Sequence, residues 1–157
     1  MIRQFVGVAR VNFLSLTLVC IGLAAATAWQ SCISVQPLRL FAVIFLGLSA
    51  HISVNAFNEY FDFTSGLDFL TRRTPFSGGS GTWITHPQAS GLALKLAVLT
   101  LLLLISGGLW LTWQLASQLL LTGLLGVVLI FAYTQYLNRW PWLCLLAPGL
   151  VLGRSCH

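Results

Sequence analysis

LFAVIFLGLSAHISVNAFNEYFDFTSGLD, Leu40 to Asp68, is the stretch that decides how this chain folds. It opens as a continuous apolar run without alternation and closes on all three acidic residues of the protein, Glu59, Asp62 and Asp68. An apolar run of about 20 residues crosses the hydrocarbon core as a helix. A transmembrane barrel strand would alternate apolar and polar positions instead. Lipid cannot satisfy polar groups on such a helix, so they must face a bundle interior or a wet cavity. His51, Asn55, Asn58 and Asp62 follow at intervals of four, three and four, which aligns them on one helical face, with Glu59 bordering the stripe. Gly66 is placed to end that helix in a left-handed cap, which lets Asp68 fold back towards Asp62.

The rest of the chain agrees with a membrane setting. Of 157 residues, 57% are hydrophobic and 7% charged, outside the range of ordinary soluble domains. Four full spans can be drawn, Val11–Trp29, Leu40–Phe57, Gly91–Trp110 and Leu115–Tyr133. A further apolar run from Trp140 to Leu152 is too short to cross, and the chain then closes on GRSCH. The expected fold is all-α, a polytopic transmembrane helix bundle of four full spans plus a truncated fifth. Arg3, Arg10 and the following apolar run imitate a secretory signal, but the run is long and more spans follow, so a first membrane helix is expected. Arg3, Arg10, Arg72, Arg73, Lys95 and Arg139 fall on one side if the N-terminus is cytoplasmic, which also makes the connection from about residue 58 to 90 cytoplasmic. Trp29, Trp110, Trp113, Trp140 and Trp142 sit near span ends, as interface anchors do.

Several classes drop out. The formal charge is +5, but the eight basic residues are scattered and no basic cluster interleaves with aromatics, so nucleic acid is not expected as a partner. Cys20, Cys32, Cys144 and Cys156 form no CxxC pair and read as buried small hydrophobes. His51, His86 and His157 are too dispersed to suggest zinc.

The acidic segment then reads as a cation site. Asp62, Asp68 and the Asn58 amide, with Glu59 beside them, make an all-oxygen set that suits Mg²⁺, a cation that binds through one or two carboxylates, waters and substrate phosphates. Arg72 and Arg73 follow directly, and Lys95 lies just inside the third span, so cations for an anionic ligand come after acids for the metal. The competing reading is a helix end at headgroup level with positive-inside arginines and a snorkelling lysine. FSGGSG, Phe76 to Gly81, lacks the Lys-Ser/Thr ending of a phosphate loop and reads as a hinge or lid. Phe57, Tyr60, Phe61 and Phe63 surround the acids, either as packing or as faces that stabilise a cation.

NAFNEYFDFTSGLD, Asn55 to Asp68, and TRRTPFSGGSG, Thr71 to Gly81, resemble the first aspartate-rich motif of the UbiA-type intramembrane aromatic prenyltransferases and the basic residues after it. Asn58 and Asp62 match the motif, Glu59 stands where Asp is usual, and Asp68 takes the place of a last Asp occupied here by Gly66. Tyr133-Thr134 resembles the family's second cytoplasmic loop, from which Gln135 and Leu137 depart. The resemblance implies transfer of a polyprenyl group from an allylic prenyl diphosphate to an aromatic acceptor, of the quinone or menaquinone biosynthesis type, in a bacterial or archaeal cytoplasmic membrane. It implies Mg²⁺ as cofactor, Asn58, Asp62 and Asp68 as catalytic residues, Glu59 with them as a metal ligand, and Asn55, Arg72, Arg73, Lys95 and Tyr133 as substrate-binding residues. Family members carry a second aspartate-rich motif in a longer bundle, yet no acid follows Asp68 in this chain. The 157 residues are therefore expected to be the N-terminal part of such a domain, truncated or frameshifted, and inactive alone. Two other classes stay open: a non-catalytic membrane assembly or lipid-binding protein, and a cation transporter, the latter disfavoured because the acids sit at one membrane face.

Overall fold

The computed structural model describes residues 2–66 and 90–135, and every regular element among them is helical. In chain order these are α1 (Ile2–Ala9), α2 (Val11–Gln30), α3 (Pro37–Thr64), α4 (Ser90–Gln114) and α5 (Gln118–Gln135). Three of them, at Val11–Gln30, Pro37–Thr64 and Gly91–Gln114, are long and apolar enough to cross a membrane. The expected fourth span is only partly supported: residues Leu115 to Ser117 form a turn, and the apolar part of α5 is the shorter stretch Gln118–Ala132. The short fifth run lies outside the described residues. α1 was not anticipated. Its eight residues carry Ile2, Phe5, Val6 and Ala9 at helical spacing, a pattern easily taken for the flank of the first span.

Local chemistry sets the helix limits. Pro37 stands at the first helical position of α3, where its missing N–H is harmless. α2 ends in a Schellman arrangement: Ile33 N donates to the Ala28 carbonyl and Cys32 N to that of Trp29. Cys32, at φ 57, takes the left-handed position usually filled by glycine. At the end of α3, Gly66 does have φ 78, and its N–H donates to the Phe63 carbonyl.

α3 is the centre of the bundle and touches each of the other four helices. It runs antiparallel to α4, because Ser53 meets Ala97 while Leu46 meets Gly107. It also runs antiparallel to α2, through Arg10 with Glu59, Thr17 with His51, and Ile21 with Gly47. Small residues permit these approaches, as they do between helices in lipid. A Cβ at Gly47 would lie 3.0 Å from Ile21 Cδ1, and one at Gly107 would lie 2.5 Å from Leu46 Cδ2. The buried apolar core, Val8, Ala56, Phe57, Ala93, Ala97, Leu101 and Ile130, gathers at the end of the bundle where α3 carries its acids. Trp29 and Trp113 lie exposed at the opposite end, on α2 and α4, as belt residues should.

The cysteine expectation is overturned at Cys20 and Cys32. Cys20 and Cys32 are exposed, because α2 buries none of its residues and turns most of its surface outward. Cys144 and Cys156 lie outside the described residues. Ser53 Oγ donates to the Ala97 carbonyl at 3.0 Å and is fully buried. Ser53→Ala is expected to destabilise the bundle by only about 0.6 kcal/mol, the usual worth of such a bond in a membrane protein. Unfolding of the detergent-solubilised protein in SDS, followed by tryptophan fluorescence, measures it.

Candidate functional site

The polar stripe of α3 exists as a continuous helical face, since α3 runs on past the apolar segment through Asp62 to Thr64. Its upper members are engaged in holding the N-terminal helices. His51 Nδ1 lies 2.7 Å from Thr17 Oγ1 on α2. Asn55 is buried and donates through Nδ2 to the Ala9 carbonyl, the last of α1, at 3.0 Å. That bond satisfies a carbonyl left over at a helix end.

Glu59 has the most buried polar side chain of the stripe, with none of its surface exposed. Its Oε1 accepts two bonds from Arg10, one from Nε at 3.0 Å and one from Nη2 at 2.9 Å. The Arg10 side chain remains 23% exposed. Its backbone sits at φ 48 between α1 and α2, in the left-handed region that a non-glycine residue seldom occupies. Burying a carboxylate is costly unless it is paired and hydrogen-bonded, and this arginine supplies both.

Asn58 and Asp62 lie on the same face, both half-buried. Among the described residues, Asn58 Oδ1 is buried and meets no hydrogen-bond donor. Ser65 Oγ donates to the Asp62 main-chain carbonyl at 3.3 Å and, with Thr64 bonded to Tyr60 and Phe61 carbonyls, tightens the last turn. Around them the aromatics pack. Phe57 lies 5.4 Å from Phe131 and 6.2 Å from Phe61, and Tyr60 meets Phe61 edge-on at 5.5 Å. Phe57 is thus a core residue that ties α3 to α5.

The structure brings together Asn55, Asn58, Glu59 and Asp62 from the expected set. Lys95 is exposed on α4, on the side opposite the Ala93–Ala97 ridge that faces α3. Tyr133 falls in the last turn of α5, but its side chain lies outside the description. Asp68, Arg72, Arg73 and the Phe76–Gly81 run lie outside the described residues. Among the described residues no three His, Cys, Asp or Glu side chains converge as a metal site. By sequence Arg10 belongs to the positive-inside set, and its partner Glu59 does not show there. The available signal was charge balance: a buried Glu59 demands a cation, and Arg10 is the basic residue at the neighbouring span end.

No family model, no curated protein and no solved structure matches this chain.

Proposed function

We propose that the chain carries the diphosphate-binding half of an intramembrane aromatic prenyltransferase, one that transfers a polyprenyl group from an allylic prenyl diphosphate to an aromatic, naphthoate-like acceptor. The observation that carries this reading is the buried Asn58 carbonyl oxygen with no donor among the described residues, one turn from the Asp62 carboxyl. A buried acceptor left without a donor calls for a reason, and an amide oxygen beside a carboxylate suits a hard cation. The residue types fit Mg²⁺: Asn58, Asp62 and Asp68 would hold it, while Glu59, expected beside them as a ligand, engages Arg10 instead. When bound, the ion would neutralise the charge of a diphosphate leaving group.

The chain's own residues have separate tasks in this reading. Arg72 and Arg73 fork onto diphosphate oxygens, and Tyr133 contributes a further contact. The Phe57, Tyr60, Phe61 and Phe131 cluster keeps water from one flank of the acids. The membrane receives the prenyl tail, with the acids at the cytoplasmic face. No acid follows Asp68, so these 157 residues hold one acidic cluster and not two. Binding without turnover is the expected property of the chain by itself.

The runner-up is a non-catalytic assembly module. It draws support from His51 and Asn55, whose polar atoms serve helix contacts. Titration of the purified chain in detergent with farnesyl diphosphate separates the two, with tryptophan fluorescence as the readout. Binding should require Mg²⁺, be abolished by a chelator, and weaken at least about tenfold in Asp62→Asn, the loss expected when one charged ligand is removed. Binding indifferent to both the chelator and Asp62→Asn would sink the prenyltransferase reading and leave the module.

A further inference from the structure

We propose that Glu59 is a positioning residue that acts through Arg10: the pair clasps the elbow between α1 and α2 to the acid-bearing end of α3. Three independent features meet at this elbow. The first is the doubly bonded ion pair, with the Glu59 side chain fully buried. The second is the Asn55 bond to the Ala9 carbonyl, one residue before Arg10 and one turn before Glu59. The third is the left-handed backbone of Arg10 itself. A long side chain held there persists only where its surroundings over-determine it, and the first two features do so.

The clasp has a defined product. It seats Val8 and Ala9 against α3, both with essentially no exposed surface, and Val8 joins the core with Ala56 and Phe57. Those two residues immediately precede Asn58 and Glu59. Fixing α1 here therefore fixes one wall around the Asn58 and Asp62 oxygens. The length of Glu59 matters to this role. Aspartate, which the resembled motif carries at this place, is one methylene shorter. Its carboxylate would stop short of the guanidinium, while a carboxylate needed only for its charge would tolerate the change. The assignment of wall to site rests on the cation reading of Asn58 and Asp62, whereas the clasp itself rests on the geometry of α1, α2 and α3.

The test places a single cysteine at Val8 in a chain whose four native cysteines are replaced by serine or alanine. The rate of maleimide labelling in detergent micelles is measured after circular dichroism establishes full helix content. Val8→Cys should be protected in the parent. Glu59→Gln, Glu59→Asp and Arg10→Lys should each raise the labelling rate at least about tenfold, as local opening does when a stabilising contact is lost. The exchanged pair Arg10→Glu with Glu59→Arg should regain much of the protection. Asp62→Asn should leave labelling unchanged, so failure of the cation reading is seen in farnesyl diphosphate binding alone. Unchanged labelling in Glu59→Asp and Arg10→Lys would overturn the clasp, whatever happens to ligand binding.

Discussion

Arg10→Ala is expected to destabilise the folded bundle by about 3–5 kcal/mol, the penalty for breaking a buried ion pair from one side. It removes a guanidinium that donates twice to a carboxylate with no exposed surface. Glu59→Ala should cost less, by about 1–2 kcal/mol, because the arginine is partly exposed and its long stem can carry the guanidinium to water. The double change Arg10→Met with Glu59→Met should fall within about 1 kcal/mol of the parent, since apolar groups of similar volume often replace a buried pair without loss. The non-additivity of that cycle, measured by SDS unfolding in mixed micelles, is the coupling energy of the pair. Additive losses would mean that the two side chains act separately, against the geometry at Oε1. If the Met pair folds stably yet Val8→Cys labels rapidly in that background, the charges specify the position of α1 rather than supply net stability.

How much of this was legible depends on the range of the signal. α2 could be drawn to within a residue of its true end, because an uninterrupted apolar run needs no partner to be recognised. α3 begins three residues before the apolar run, at Pro37, whereas its continuation through the acids to a cap at Gly66 is legible in the polar stripe. What the stripe does not reveal is how its groups are satisfied: Asn55 and Glu59 find partners on α1 and at the elbow. Such partners lie 46 and 49 residues away in sequence, beyond any periodicity argument. Gly66 was readable because a left-handed cap is a local property of glycine. The polar stripe was readable as a face, but not in its division of labour. His51 and Asn55 are bound to neighbouring helices, Glu59 to Arg10, and Asn58 retains a buried oxygen without a donor among the described residues. The exposed Cys20 shows the converse failure. An apolar run says that a residue avoids water, not whether protein or lipid replaces it.

The same limit applies to α4, where the second large effect is expected. Ala97→Leu should destabilise the protein by about 3 kcal/mol, the upper part of the usual range for overpacking a filled interface. Ala97 has no exposed surface, and its carbonyl accepts the Ser53 hydroxyl across the α3–α4 seam. A leucine there must push the backbones apart, which also lengthens that bond and unseats Leu46 from Gly107 further along. Neither helix gains by separating, because lipid is as apolar as leucine and offers only looser packing. Leu99→Ala, on the exposed side of the same helix, should change stability by no more than about 0.5 kcal/mol. Measured in the same SDS titration, the contrast tests whether α4 is held by fit or merely by hydrophobicity. Equal effects at the two positions would contradict the antiparallel seam. A selective loss at Ala97 that also weakens farnesyl diphosphate binding would link the seam to the acids. Ser53 lies less than two turns before Asn58 on α3, so a displaced seam displaces the Asn58 oxygen with it.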